Sequence, residues 1–283
     1  MSTPIPKMAG VCGWPIHHSL SPLLHSYWLK EMGILGAYVH FAVRPDEAVY
    51  AFQSLKRTSI SGVNVTLPLK QLAFKAGDAA TADAQKLGVA NCLYKRGGKL
   101  IAHNTDMEGF AAPLMSAMGP QLIAKTPAIV FGTGGASRAV IGALLAMGCP
   151  EIRLCGRTDI RAESIAKEVG VPSLYSVPWE TRNQAISGAG LIINASAAGM
   201  KNYPRLDIDL EQASEGATVY DLVYTPLETP LLKEARAREL QTLGGLSMLI
   251  AQARPSFRLF YGKTPPPELD PSALLIKALE GEI

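Results

Sequence analysis

The segment PAIVFGTGGASRA, residues 127–139, decides the fold of this chain. Its apolar start predicts a buried strand, its glycines predict a sharp turn, and the small Ala136 and Ala139 predict a helix packed closely against that strand. Glycines let a backbone approach a pyrophosphate, and the N-terminus of a helix offers free N–H groups. The turn therefore predicts a dinucleotide site formed by Gly132, Thr133, Gly134, Gly135 and Ala136.

The chain on both sides of this turn alternates between short apolar strands and helices. Strands are predicted at residues 127–131, 151–155, 190–195 and 217–223, and helices at residues 136–148, 159–169 and 228–242. Such alternation is typical of right-handed βαβ units on a parallel sheet that is buried on both faces. Residues 107–244 therefore predict a doubly wound, Rossmann-like domain.

The first hundred residues alternate in the same way and predict a second α/β domain. Strands are predicted at residues 9–13, 37–43 and 62–66, with a helix at 22–32 and further helices that begin at Pro45 and Pro68. Helices at residues 247–261 and 272–279 follow the Rossmann-like part, and we expect them to return to the first domain. The predicted architecture is two α/β domains, residues 1–106 plus 245–283 and residues 107–244, with a cleft between them.

Composition narrows the class of protein. In 283 residues, 48% are hydrophobic and 27 Lys and Arg nearly balance 24 Asp and Glu, so we expect large cores and no nucleic-acid partner. The start of the chain lacks the apolar core of a signal peptide, and no apolar run has the length of a bilayer span. The four cysteines form no CxxC pair and suggest no metal site. We expect a cytoplasmic monomer or homodimer with a small-molecule substrate and no membrane partner.

The residues after the second Rossmann strand bear on the choice of dinucleotide. An acidic residue about 20 positions beyond the glycine turn usually binds the ribose 2′-hydroxyl of NAD, whereas a nearby Arg accommodates the 2′-phosphate of NADP. Here Gly156 is followed by Arg157, Thr158 and Arg161, which we interpret as a phosphate clamp. Asp159 is the residue that would favour NAD. The sequence predicts NADP.

Three segments of the first domain carry polar residues that a plain fold does not need. Ser19 and Ser21 stand two positions apart before a helix, so they can face one anionic group together. Lys70 lies one turn beyond a strand that ends in polar residues. Asn91 and Asp106 add an amide and a carboxylate near the end of the domain.

These segments together resemble the shikimate dehydrogenase family. The matching motifs run in the order of the family along the chain, as GWPIHHSLSPLLH (13–25), GVNVTLPLK (62–70), NTDMEGF (104–110), GTGGASRA (132–139), NASAAGM (194–200), DLVYTPLETPLL (221–232) and GLSMLIAQA (245–253). The resemblance implies NADPH-dependent reduction of 3-dehydroshikimate to shikimate, a step of aromatic amino-acid synthesis.

The resemblance also implies the roles of individual residues. Lys70 and Asp106 would form the catalytic pair, because reduction of a ketone needs a proton for the developing alkoxide. Substrate would be bound by Ser19, Ser21, Thr66, Asn91, Asp106, Tyr224 and Gln252, with Asn64 as a weaker candidate. The cofactor would be held by the glycine turn and the clamp, and its nicotinamide side would be lined by Ala195, Ser196, Leu222, Gly245 and Met248.

The sequence departs from the family pattern at several positions. Cys92 stands where the family usually has Thr, and Gly156 replaces the usual Asn of the clamp. The NASAAGM motif (194–200), with Ala197 after Ser196, departs from the usual order of residues in the family. The alternatives are a quinate/shikimate dehydrogenase that uses NAD or NADP, a non-catalytic dinucleotide-binding regulator, and a methylene-tetrahydrofolate dehydrogenase. The Lys70–Asp106 pair argues against the regulator, and the paired serines argue against the folate enzyme.

Overall fold

The computed structural model describes residues 6–282. Its strands are β1 (Lys7–Gly13), β2 (Gly36–Ala42), β3 (Ile60–Val65), β4 (Ala79–Ala80), β5 (Cys92–Arg96), β6 (Lys99–His103), β7 (Ala128–Phe131), β8 (Ile152–Cys155), β9 (Leu174–Val177), β10 (Leu191–Asn194), β11 (Thr218–Asp221) and β12 (Gln241–Gly244). Its α-helices are α1 (Ser21–Glu31), α2 (Ala48–Ser54), α3 (Lys70–Ala76), α4 (Ala82–Leu87), α5 (Asp106–Met118), α6 (Pro120–Ile123), α7 (Gly135–Ala146), α8 (Asp159–Val169), α9 (Pro230–Ala237), α10 (Gly245–Tyr261) and α11 (Ser272–Glu280).

The chain divides into two compact units. One unit extends to Asp106 and resumes at Leu249, and the other runs from Met107 to Met248. The chain leaves the first unit at the first residue of α5 and returns to it inside α10. In the part of the chain that the structure describes, no helix combines the length and the hydropathy needed to cross a bilayer.

The sheet of the first unit mixes parallel and antiparallel strands. Its order is β2-β1-β3-β5-β6-β4, in which β1 lies parallel to β2 and β3 while β5 runs antiparallel to β3 and β6. The carboxyl ends of β1, β3 and β6 and the amino end of β5 therefore share one edge. The β5–β6 hairpin was not predicted, although its Gly97-Gly98 turn, with both φ angles positive, is a typical hairpin signal.

The sheet of the second unit is parallel throughout, in the order β12-β11-β10-β7-β8-β9. Strand β7 lies between β8 and β10, so the direction of the crossovers reverses at β7. Its core combines β7, β8 and β10 with helices α5, α7 and α8, and includes Phe110, Leu144 and Ile193, all of them fully buried. The prediction of a doubly wound, Rossmann-like domain is confirmed. Ligands of such sheets bind at the carboxyl ends of the strands beside this reversal.

Three predicted helix boundaries are wrong. The helix expected over residues 228–242 is the shorter α9, which ends at Ala237. It begins at Pro230, because the Thr229 hydroxyl accepts a hydrogen bond from the N–H of Leu232 and caps the first turn. Residues 241–244 form the edge strand β12 instead. Helices α2 and α3 begin a few residues after Pro45 and Pro68, because hydrogen-bonded turns precede both, such as the bond from the N–H of Leu69 to the carbonyl of Thr66.

Candidate active site

The shared edge of the first sheet collects most of the polar residues predicted to bind substrate. Ser19 and Ser21 follow β1, Thr66 follows β3, and Asn91 directly precedes β5. Asp106 begins α5 shortly after β6. The polar residues are local features of the sequence, whereas their common edge follows from the strand order.

Lys70 and Asp106 form an ion pair within this unit. The Lys70 ammonium lies 2.6 Å from Asp106 Oδ2, and the two side chains are only 12% and 7% exposed. The N–H of Asp106 donates to Asn104 Oδ1, which helps fix the start of α5 and the direction of the carboxylate. The resemblance paired these two residues, and the structure brings their side chains together.

The Asn91 amide joins this pair to a buried polar cluster. Asn91 Nδ2 donates to Asp106 Oδ1 at 2.8 Å and to Thr105 Oγ1 at 2.9 Å, while its Oδ1 accepts from the N–H of Thr105. The hydroxyl of Thr105 also donates to Gln252 Oε1 at 3.3 Å. Both oxygens of Asp106 thus accept from cationic or amide donors, so the carboxylate is held in one orientation.

The paired serines stand close enough to bind one group. Their hydroxyl oxygens are 3.3 Å apart, and the N–H of Ser21 points at Ser19 Oγ. Ser21 is buried and is the first residue of α1, where peptide N–H groups and the helix dipole favour an anion. Thr66 is half-buried at the end of β3. This arrangement can hold a carboxylate.

Asn64 has a different environment from the one expected. Its Oδ1 accepts from the hydroxyl of Tyr38, and its Nδ2 donates to Ser256 Oγ at 2.8 Å and to the carbonyl of Asn91. Both ends of the Asn64 amide are thus engaged by the protein, and its contact with substrate stays a prediction. The sequence analysis missed Tyr38, Thr105 and Ser256; the only signal for Ser256 was its position one helical turn after Gln252.

The second unit contains a cavity of about 400 Å³ at the carboxyl ends of its strands. The predicted residues on its wall are Gly132, Thr133, Gly156, Arg157, Thr158, Arg161 and Ser196. Residues that were not predicted also line it, namely Phe131, Trp179, Ala197, Ala198, Tyr203, Pro204, Arg205, Leu206 and Asp207.

The glycine turn has the shape that a dinucleotide phosphate requires. Gly132 has a φ of +129°, and a Cβ there would come within 2.8 Å of the carbonyl oxygen of Ala195. A Cβ on Gly134 would meet nothing within 4 Å, so the approach to α7 is open. Helix α7 begins at Gly135 and its N-cap, Gly134, has no side-chain cap. Its first N–H groups are available for an anion, so these residues fit a dinucleotide.

Gly156 and Asp159, the two unusual residues of the clamp, each contact a neighbouring residue. A Cβ on Gly156 would lie 2.6 Å from Thr133 Cγ2, so the methyl group of Thr133 occupies the space of a side chain at position 156. Asp159 Oδ1 accepts from the N–H of Trp179 at 2.9 Å, and Asp159 does not line the cavity. The carboxylate that favoured NAD in the sequence analysis therefore has a structural partner.

The remaining predicted residues lie elsewhere in the second unit. Gly134, Gly135 and Ala136 belong to the turn but not to the cavity wall. Met248 is packed in the core and Leu222 lies against it. Gly245 is required structurally, because a Cβ there would come within 2.1 Å of the Leu222 carbonyl oxygen. Tyr224 lies in the loop after β11, and its contact with substrate stays a prediction.

Asp221 is a fully buried carboxylate at the end of β11. It accepts from Asn194 Nδ2, from the N–H of Val223 and, at 2.6 Å, from the hydroxyl of Thr229. Asn194 Nδ2 also donates to the carbonyl of Ala198, so Asp221 helps to hold the loop that borders the cavity. Burial raises the pKa of the Asp221 carboxyl to about 6.

This raised pKa predicts a pH dependence of stability. As the pH rises from the ordinary carboxyl pKa of 3.8 to about 6, the unfolded chain releases the proton first, so the folded state loses stability over that window. Asp221→Asn removes this loss. Between about pH 4 and pH 7, urea unfolding should shift in favour of the variant, relative to wild type, by on the order of 3 kcal/mol. Glu215→Gln, an exposed change in the same unit, is the control, and a pH-independent difference for Asp221→Asn would contradict the prediction.

Comparison with known proteins identifies similar proteins along almost the whole chain. A profile of the shikimate dehydrogenase substrate binding domain matches residues 11–93. Shikimate dehydrogenase (NADP(+)) of Azorhizobium caulinodans is 43% identical over 260 residues, which cover 92% of each chain.

Solved structures give the same result. A shikimate 5-dehydrogenase of Thermus thermophilus, crystallised with NADP(H) and shikimate, is 34% identical with a TM-score of 0.83, over 98% of this chain and 100% of that chain. Quinate dehydrogenase of Corynebacterium glutamicum, in complex with NAD, is 27% identical with a TM-score of 0.84, over 98% and 99% of the two chains. The shared fold therefore serves both cofactors, and the choice between them depends on side chains.

Proposed function

The chain belongs to the shikimate dehydrogenase family, and from this membership we infer that it catalyses the reversible, NADP-dependent reduction of 3-dehydroshikimate to shikimate. The resemblance found in the sequence motifs is thereby confirmed. The observation that carries the proposal is the Lys70–Asp106 ion pair at 2.6 Å, held by Asn91 at the polar edge of the first sheet. A non-catalytic dinucleotide sensor has no use for such a pair.

The first unit is proposed to bind the substrate. Ser19 and Ser21 would receive its carboxylate, since their two hydroxyls and the start of α1 offer donors to one anion. Thr66, Asn91 and Gln252 would bond the carboxylate or the ring hydroxyls. Tyr224 is proposed as a further substrate contact on the strength of the family motif alone.

Lys70 is proposed as the proton donor in the reduction. Its ammonium stabilises the negative charge that develops on the ketone oxygen and then gives that oxygen a proton. Asp106 orients the ammonium and accepts a hydrogen bond from the neighbouring substrate hydroxyl. Asn91 keeps Asp106 in place. In the reverse direction, neutral Lys70 would take the proton from the shikimate hydroxyl.

The second unit is proposed to bind NADP(H), which supplies or accepts the hydride. The turn from Gly132 to Ala136 and the open N-terminus of α7 would hold the diphosphate. Arg157, Thr158 and Arg161 would hold the 2′-phosphate. Leu222, Gly245 and Met248 are proposed to line the nicotinamide side, on the strength of the family motifs.

The test is a coupled absorbance assay with shikimate and quinate, each paired with NADP and with NAD. Fast turnover with shikimate and NADP alone is the expected result. Comparable turnover with quinate or NAD would assign the chain to the dual-specificity group. No turnover with any pair would refute the proposed dehydrogenase activity. In the same assay, Arg157→Ala should raise the KM for NADP far more than the KM for NAD, because only NADP carries the 2′-phosphate.

We further propose a cytoplasmic location and a monomer or homodimer. All four cysteines are buried free thiols, and burial raises the pKa of each thiol. Reduced, buried thiols are typical of the cytoplasm.

A further inference from the structure

The cavity of the second unit carries more positive charge than the predicted clamp accounts for. Arg157, Arg161 and Arg205 all line it. Among the residues that the structure describes, none of these three guanidinium groups has an ion pair with a carboxylate. Asp207, the acidic residue on the cavity wall, is paired with Arg182 at 2.6 Å and so does not neutralise them.

We propose that Arg205 is a third guanidinium group for the 2′-phosphate of the cofactor, acting together with Arg157 and Arg161. This inference rests on the proposed use of NADP(H) and names a residue that decides its selectivity. The sequence motifs do not include Arg205, which follows the NASAAGM motif in an exposed loop.

The loop of Arg205 is anchored through Asp207. Arg182 donates to both the carboxylate and the backbone carbonyl of Asp207, two residues after Arg205. The same guanidinium donates to the carbonyl of Trp179 and lies 4.7 Å from the centroid of its ring. The loop is therefore fastened to Trp179.

Trp179 is in turn fastened to the clamp helix. The backbone N–H of Trp179 donates to Asp159 Oδ1 at 2.9 Å. Asp159 is the first residue of α8, which carries Arg161 in its first turn. A continuous set of contacts thus joins the loop of Arg205 to the helix of the clamp. These contacts favour a position for Arg205 beside the clamp over one beside the glycine turn that would receive the diphosphate.

The charge of the 2′-phosphate distinguishes NADP(H) from NAD(H). A phosphate monoester carries about −1.5 to −2 at neutral pH and three acceptor oxygens. Guanidinium groups match these oxygens with paired N–H donors, and they cannot lose their charge. A ribose 2′-hydroxyl offers no such charge. A third uncompensated arginine therefore strengthens the binding of NADP(H) and leaves that of NAD(H) almost unchanged.

The experiment is calorimetric titration of the full chain with adenosine 2′,5′-bisphosphate, ADP and 5′-AMP, which separates the 2′-phosphate from the diphosphate. Arg205→Gln should weaken binding of the 2′,5′-bisphosphate by about 5- to 20-fold and leave ADP and AMP within about twofold. Arg205→Lys should retain much of the affinity, because it keeps the charge. Lys201→Gln removes the same charge from the same loop at an exposed position off the cavity wall, and should change nothing.

Several outcomes would overturn the assignment. If Arg205→Gln weakened the binding of ADP and of the 2′,5′-bisphosphate equally, Arg205 would lie at the diphosphate. If Lys201→Gln weakened binding of the 2′,5′-bisphosphate as much as Arg205→Gln does, Arg205 would contribute only to the general positive charge of the loop. If wild type prefers the 2′,5′-bisphosphate to AMP and Arg205→Gln keeps that preference intact, the inference about Arg205 alone fails. If wild type shows no preference, the proposed cofactor fails as well.

Discussion

Lys70→Ala is expected to lower kcat for shikimate oxidation by about 10²- to 10⁴-fold, the usual contribution of a positioned acid or base. The loss should be this large because, among the residues that the structure describes, Lys70 is the cation that forms an ion pair with Asp106. Binding of NADP should stay unchanged, because Lys70 belongs to the first unit and the cofactor residues to the second. Steady-state kinetics and calorimetric titration with NADP check the two halves of this prediction.

Lys75→Ala is the matched control for this change. Lys75 lies on the same helix, α3, but is exposed and outside the polar cluster, so its loss should leave kcat within about twofold. If Lys70→Ala retained most of its turnover while folded, Lys70 would have no part in proton transfer and another donor would have to be sought.

Asp106→Asn is expected to cost a similar factor in kcat, about 10²-fold or more, and to raise the KM for shikimate as well. Both carboxylate oxygens accept from donors, Oδ2 from Lys70 and Oδ1 from Asn91. An asparagine side chain would turn its own NH2 group toward one of these donors, so the ammonium of Lys70 would lose its orientation. Kinetics with shikimate as the varied substrate separate the two effects.

The pair should also behave as a unit. The double variant Lys70→Ala with Asp106→Asn should be about as slow as the slower single variant, because each change already disables the same proton transfer. Asp83→Asn, at an exposed carboxylate in the same unit, serves as the control for charge. Additive losses in the double variant would show that the two residues act independently and would contradict the proposed roles.

Much of the second unit could be predicted from the sequence. The glycine turn lies between an apolar strand and a small-residue helix, and all three features are local, so the predicted positions agree with β7 and α7 to within two residues at their shared turn. The polar residues of the first unit were also readable, because they interrupt apolar strands at their ends. The edge strand β12 was missed, since four residues with two polar side chains resemble the end of a helix.

The hydrogen bonds inside the candidate site could not be predicted from local sequence patterns. Asn64 and Ser256 are separated by 192 residues, and their hydrogen bond exists only because α10 packs against the first sheet. Asn64 therefore resembled a ligand contact in the sequence, although its amide is engaged by the protein. Asp159 likewise resembled a residue that selects NAD, because the sequence does not show its hydrogen bond to Trp179, which lies 20 residues away.

The sequence by itself determined the alternation of strands and helices around the glycine turn, the turn itself and the identity of the polar residues at strand ends, because these depend on backbone preferences and on the spacing of apolar side chains. The tertiary structure alone decided which of those polar groups are already paired and which remain available. It paired Lys70 with Asp106, assigned Asp159 to Trp179 and brought Arg205 to the wall of the cavity. Hydrogen bonds and ion pairs join residues that are close in space, and distance along the chain does not predict them.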